Sequence, residues 1–197
     1  MSLPEQTLLT DQKEKRASEP PVSPRKSRKS RLTVREMTIF AMLGALMFCS
    51  KLLMEWAPNI HFLALLLIVF TLVYRAKALI PLYVFILLTG VYMGFHVWWL
   101  AYLYAWLPLW GTVMLLPRRM PRWLAVPLYM LLGGLHGLLF GALCAPVQAF
   151  FFGLDFQGTL LWIANGALFD VAHAIGNFAA CSLVLPLTQI LYRLERR

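Results

Sequence analysis

Three polar side chains recur at helical spacing inside one of the most apolar parts of the chain. The stretch FDVAHAIGN, residues 169–177, contains Asp170, His173 and Asn177. On a helix these residues and Gly166 share a stripe about 60° wide. A carboxylate, an imidazole and a carboxamide on one face can bind a polar ligand, relay a proton or hydrogen-bond a neighbouring helix.

The stripe is predicted to face the protein interior or a wet cavity rather than lipid. A charged group at the centre of a membrane helix costs at least ~2.5–3.5 kcal/mol on insertion scales. His136 lies at a similar depth in the preceding apolar run, so we expect it to meet the stripe across the helix interface.

Three interpretations of this polar group stay open. The first is a ligand site or proton relay. The second is an intramembrane metal-dependent enzyme or a metal-uptake protein that uses His136, Asp170 and His173 as ligands. The third is a structural membrane scaffold in which the stripe only joins helices. Signatures such as H-E-x-x-H, a phosphate-binding glycine loop and G-x-S-x-G are absent, so no catalytic residue, metal or cofactor is predicted.

Aromatic residues form a second candidate group. Trp106 and Trp110 lie deeper than an interfacial aromatic belt requires, so they are candidates for a wall on which a planar ligand stacks. Lys51 and Glu55 are predicted to pair with each other, or to line the mouth of a site with Asn59 and His61.

The elements that must position these residues are membrane helices. Of the 197 residues, 60% are hydrophobic and only 14% are charged, which indicates an integral membrane protein. The sequence predicts an all-α bundle of six transmembrane helices, at 36–54, 60–74, 78–96, 99–116, 123–150 and 160–190.

The basic residues predict the orientation of this bundle. Of the 18 Lys and Arg residues, all but Lys51 fall on one side of six spans, so both termini are predicted to be cytoplasmic. Residues 1–34 are rich in Pro, Ser, Lys and Arg, and we expect a disordered basic tail that fixes topology and contacts anionic lipid. Residues 35–197 are then the six-helix transmembrane domain.

Small residues mark a possible helix-docking face on the first span. Ala41 and Ala45 are spaced small-xxx-small in AMLGALMF, with Gly44 beside them. Such a face allows a second helix to approach closely, within the chain or in a partner. Gly137 and Gly141 make a similar patch on the fifth span.

The chain resembles the membrane-embedded substrate-binding subunits, or S components, of energy-coupling factor transporters of prokaryotes. The resemblance covers about residues 33–192. It rests on size, the six predicted spans, the spacing Ala41 to Ala45, and the run from REMTIFAMLGALMF to LLMEWAPNIHFLALLLIVFTLVYRAKALIPLYVF. The long basic tail departs from the family pattern.

The resemblance implies a non-enzymatic uptake subunit in the plasma membrane that binds a vitamin-like molecule on its outer side. It implies no nucleic-acid partner. It also implies that Ala41, Gly44 and Ala45 dock on a transmembrane coupling subunit, which two ATPase subunits drive. The implied substrate-binding residues are Asn59, Trp106, Trp110, His136, Gln148, Asp170, His173 and Asn177.

Overall fold

The computed structural model describes residues 32–55, 61–117 and 120–196, and every regular element in these ranges is a helix. The compact unit that they form is Thr33–Arg197. Nearly all of the predicted tail lies outside the described residues. Asn59 also lies outside them. The helices are α1 Val34–Leu53, α2 Leu63–Tyr74, α3 Leu79–Met93, α4 Val97–Ala105, α5 Leu107–Leu115, α6 Arg122–Leu138, α7 Phe140–Phe152, α8 Phe156–Ala180 and α9 Val184–Glu195.

Four helical stretches in the described chain are long and apolar enough to cross a membrane. They are Val34–Leu53, Leu63–Met93, Arg122–Phe152 and Phe156–Glu195. The membrane-protein character predicted from composition is therefore present, but the number of such stretches is four where six spans were predicted. The difference comes from the second, third and fourth predicted spans.

Local breaks explain this difference. Predicted spans two and three fall in one helical stretch that turns at Arg75, whose φ of 57° departs from helical geometry and starts a short 3-10 turn. Predicted span four is interrupted at Trp106, between α4 and α5. Pro108 lacks the N–H that would continue the hydrogen-bond ladder through this point.

Helices α1 and α3 run parallel to each other. Near their amino ends Glu36 forms a salt bridge with Lys77, and near their carboxyl ends the rings of Phe48 and Tyr92 lie 5.6 Å apart. Since α2 connects them in the chain, α2 runs the opposite way. Helix α2 has the core position, with nearly all of Leu63–Thr71 buried.

The two ends of the compact unit meet beside Tyr74. Its ring makes an edge contact with Phe40 of α1 at 5.1 Å, and its hydroxyl donates to Glu195 of α9 at 2.7 Å. Helix α1 begins with a capping box, in which Thr33 accepts from the amide of Glu36. The start of α1 and the end of α9 are thus fixed at the same end of the bundle as the turn at Arg75.

Helices α6 and α7 pack antiparallel to α8 through glycines. A Cβ added at Gly133 would meet Cys181, one at Gly137 would meet the backbone of Ala174 at 2.8 Å, and one at Gly141 would meet Asp170. Only residues without a side chain allow the two backbones to come this close. The predicted Gly137–Gly141 patch therefore serves packing within the chain.

The small residues of α1 do not all face the same way. Gly44 is buried against α3, where an added Cβ would lie 2.6 Å from Val84, so it packs inside the chain and not on the predicted docking face. Ala41 is exposed and Ala45 is half-buried. These two residues keep an outward-facing small surface. Lys51 and Glu55 form no salt bridge in the described structure; the Lys51 Nζ contacts Sδ of Met93 instead.

Candidate ligand site

The polar stripe of the sixth predicted span faces the interior, as the sequence predicts. Asp170, His173 and Asn177 are the buried residues of α8, with exposed fractions of 9%, 2% and 1%. The rest of this helix is largely apolar and exposed. Such a surface is suited to contact with lipid. The stripe is therefore held in place by the glycine-lined contact with α6 and α7.

His173 belongs to a cluster of stacked and edge-to-face rings. Phe140 lies 5.0 Å from His173, 5.3 Å from Trp106 and 5.8 Å from His136, measured between ring centroids. His61, just before α2, lies 4.7 Å from His173. We call His61, Trp106, His136, Phe140 and His173 the ring cluster.

The five residues of the ring cluster come from different parts of the fold. His61 precedes α2, Trp106 occupies the break between α4 and α5, and His136 lies in the last turn of α6. Phe140 begins α7, and His173 lies in the middle of α8. Trp106 and Phe140 thus both lie at interruptions between consecutive helices, and their rings contact each other in the cluster.

The ring cluster contains buried nitrogen atoms that have no hydrogen-bond partner in the structure. They are Nδ1 of His61, Nε1 of Trp106, Nδ1 of His136 and Nε2 of His173. Both amide atoms of Asn177, one turn beyond His173, are also without a partner. Buried polar atoms normally find partners, since leaving one unpaired costs ~1–3 kcal/mol. The ring cluster and Asn177 together hold six such atoms.

His136 is held by its second nitrogen. Its Nε2 lies 2.9 Å from the carbonyl oxygen of Ala105, the last residue of α4. The exposed fraction of His136 is 6%, and that of Trp106 is 0%. The centroids of the two rings lie 5.1 Å apart, and their planes are tilted by 30° relative to each other.

Burial lowers the pKa of His61 to about 4. His61 stands at the edge of the cluster, before the first residue of α2, and its Nδ1 is inaccessible. Its ring packs between His173 and Trp106, at 4.7 Å and 6.1 Å. His61 is therefore an uncharged member of the site at neutral pH.

The carboxylate of Asp170 is hydrogen-bonded to the backbone of α7. Its Oδ1 accepts a hydrogen bond of 3.0 Å from the amide of Gly141, the second residue of α7. Amides in the first turn of a helix have no partner within that helix. Asp170 therefore caps the break between α6 and α7 and thereby fixes the position of Phe140.

Two other predicted site residues lie away from the ring cluster. The indole N–H of Trp110 donates to the carbonyl of Arg75 at 3.3 Å, at the opposite end of the bundle from His61. Gln148 is buried on α7, about 12 Å along the helix axis from Phe140. Conversely, Phe140 was missed by sequence reasoning, although its spacing of four from His136 places both residues on one helix face.

The described residues offer little support for a metal site. No group of three or more His, Cys, Asp or Glu side chains in 32–55, 61–117 and 120–196 is placed to hold a metal ion. His136 and His173 are separated by the ring of Phe140, and Asp170 is bonded to Gly141. The predicted alternative of a His136, Asp170 and His173 ligand set is not assembled here.

No family model, curated protein or solved structure matches the chain.

Proposed function

We propose that the chain is the substrate-binding subunit of an energy-coupling factor-type uptake transporter, for a vitamin-like or other small micronutrient. The observation that carries this proposal is the set of buried, unpartnered nitrogens in the ring cluster. Rings that can stack, together with hydrogen-bonding groups that lack partners, are what a small heterocyclic ligand requires. The sequence resemblance supplies the transporter class.

Six passages across a prokaryotic plasma membrane, with both termini cytoplasmic, belong to the same proposal. The reversal of direction between α1, α2 and α3 supports it, as does the meeting of α1 and α9 beside Tyr74. The positive-inside rule then favours the Tyr74 end as the cytoplasmic one. The basic groups on that side are those at or before Arg35, then Arg75 and Lys77, then Arg118, Arg119 and Arg122, and finally Arg193, Arg196 and Arg197.

The site would then be reached from the opposite, outer face. His61 lies near that face, at the end of the segment 56–60 that contains Asn59. In the proposed subunit Trp106, His136, His173 and Asn177 bind the ligand, while the predicted contribution of Asn59 lies outside the described residues.

Docking on a coupling subunit would use the outward-facing side of α1. Ala41 and Ala45 supply the small surface, whereas Gly44 is already engaged with α3. The chain has no nucleotide-binding loop, so energy would come from the two ATPase subunits of the transporter.

A structural scaffold is the rival function, and the Asp170–Gly141 hydrogen bond favours it. This bond explains one member of the polar stripe without any ligand. It does not explain the unpartnered atoms of His136, His173 and Asn177, which a helix-joining role would be expected to pair.

Native mass spectrometry of the gently purified full chain tests the proposal. We expect an organic molecule bound at near-unit stoichiometry, and its loss in Trp106→Phe. The matched control is Trp123→Phe, because Trp123 is 77% exposed on α6. A folded wild type that carries no molecule, and that takes up none from a micronutrient mixture, would contradict binding and favour the scaffold. A bound transition metal would favour the metal-uptake alternative.

A further inference from the structure

The hydrogen-bonding role of His136 follows from its contact with Ala105. A carbonyl oxygen only accepts, so Nε2 of His136 must carry the hydrogen in the 2.9 Å bond to the Ala105 oxygen. In an uncharged imidazole the other nitrogen then has no hydrogen. Nδ1 of His136 is therefore an acceptor, and it is one of the buried atoms without a partner.

His136 has no acid that would stabilise a positive charge. Among the described residues the salt bridge formed is that of Glu36 with Lys77, and no histidine takes part in one. The nearest carboxylate of the polar stripe, Asp170, is bonded to Gly141. Burying an unpaired charge costs far more than burying a neutral ring, so the uncharged form is the one that this environment accommodates.

Trp106 presents the opposite group. Its indole Nε1–H can only donate, it is fully buried, and it has no partner. The centroid of the Trp106 ring lies 5.1 Å from that of His136, with the two planes tilted by 30°. The two side chains thus bring an unpartnered acceptor and an unpartnered donor into the same ring cluster, on rings whose centroids are 5.1 Å apart.

On the basis of the proposed function, we infer that this site binds an uncharged planar ring that carries both a donor for Nδ1 of His136 and an acceptor for Nε1–H of Trp106. The edge of a cyclic amide, with N–H next to C=O, is the simplest group of this kind. Ring stacking provides affinity, and the acceptor–donor pair provides selectivity.

Selectivity should be strong because both groups are buried. A ligand that lacks the N–H leaves Nδ1 of His136 unpaired in an apolar site, and sites built on hydrogen bonds discriminate steeply against such analogues. A charged ring is excluded for a different reason, since no described salt-bridge partner is available at the cluster.

The probes 2-pyridone and N-methyl-2-pyridone test this inference, because a methyl group replaces the N–H donor in the second; the His136 variants below separate the loss of the donor from the added bulk of the methyl group. Binding is measured by saturation-transfer NMR on the full chain in nanodiscs. We expect wild type to prefer 2-pyridone by about tenfold or more. Equal binding of the two probes would overturn the inference.

Two substitutions of His136 separate its ligand role from its structural role. His136→Asn can place a carbonyl oxygen near the position of Nδ1, whereas His136→Gln can keep the bond to Ala105 but lacks that acceptor. We expect the preference for 2-pyridone to survive in His136→Asn and to disappear in His136→Gln. The reverse order would mean that His136 acts only through Ala105, and the inference would fail.

The outcomes also separate this inference from the proposed function. If native mass spectrometry finds a bound organic molecule but the two pyridones bind alike, the inference fails and the binding function stands. If the folded protein holds no molecule and binds neither probe, both fail. As a direct check, 15N NMR of labelled histidine should show His136 as the neutral Nε2–H tautomer at pH 7, and the Nδ1–H tautomer would contradict the inference.

Discussion

Removal of the Asp170 carboxylate should destabilise the protein by opening the break between α6 and α7. The side chain accepts the amide of Gly141 at 3.0 Å and is 9% exposed. No water is available in the hydrocarbon to replace a lost partner. We therefore expect Asp170 to act on the position of the ring cluster through the start of α7.

The size of the effect follows from this one hydrogen bond. A net contribution of ~0.5–1.5 kcal/mol applies to a neutral acceptor and ~1.5–3 kcal/mol to a charged one. Asp170→Ala removes the acceptor and leaves the Gly141 amide buried and unpaired, so its cost should be about 2–3 kcal/mol. Asp170→Asn keeps an oxygen acceptor at the same place and should cost about 1 kcal/mol or less.

Reversible unfolding in mixed micelles of mild detergent and sodium dodecyl sulfate provides the measurement. We expect the free energy of unfolding to be highest for wild type, lower for Asp170→Asn and lowest for Asp170→Ala. If Asp170→Ala unfolds within about 0.5 kcal/mol of wild type, the bond to Gly141 is not a structural cap and this reasoning is refuted. Asp170 would then return to the group of ligand candidates.

Three further predictions concern packing, pH and the hydrogen bond of Tyr74. Gly137→Ala should lower the free energy of unfolding by about 1–3 kcal/mol, because the added Cβ would lie 2.8 Å from a backbone nitrogen of α8. Gly111→Ala is the control: nothing lies within 4 Å of its added Cβ, so that variant should be neutral or slightly more stable in the same unfolding assay. The pKa of His61 is lowered by burial from 6.5 to about 4, so its contribution to stability is complete above pH 6.5 and falls as the pH drops towards 4. The loss should reach about 3 kcal/mol at most, and a stability-against-pH curve that is the same in His61→Phe would contradict it. Tyr74→Phe removes the 2.7 Å bond to Glu195 and should cost about 1 kcal/mol, which would be measured as a lower thermal midpoint; an unchanged midpoint would show that this bond does not tie α9 to α2.

Helical character and the inward direction of the polar stripe were predictable from sequence. Long apolar runs without hydrogen-bonding alternatives form helices in lipid, because every backbone group must be satisfied internally. Asp170, His173 and Asn177 share one face by spacing alone, and the cost of exposing a carboxylate to hydrocarbon selects the interior for that face. All three are buried in the structure.

The roles of individual side chains were harder to predict from the sequence. Trp106 and Trp110 are of one type and lie one turn apart, so the sequence treated them alike. In the structure Trp106 joins the ring cluster, whereas Trp110 donates to the carbonyl of Arg75. The break at Trp106 rotates the helix that follows, and no periodicity taken across it can assign both residues to one face.

The sequence by itself determined the helical, membrane-type character and the stripe on α8. Only the tertiary structure decided that Asp170 caps α7, that Gly44 faces α3, and that His61 and Phe140 join His136 around one point. The physical reason is that apolar periodicity identifies the face of a helix that turns inward, while the partner of that face depends on how the helices cross and where they break.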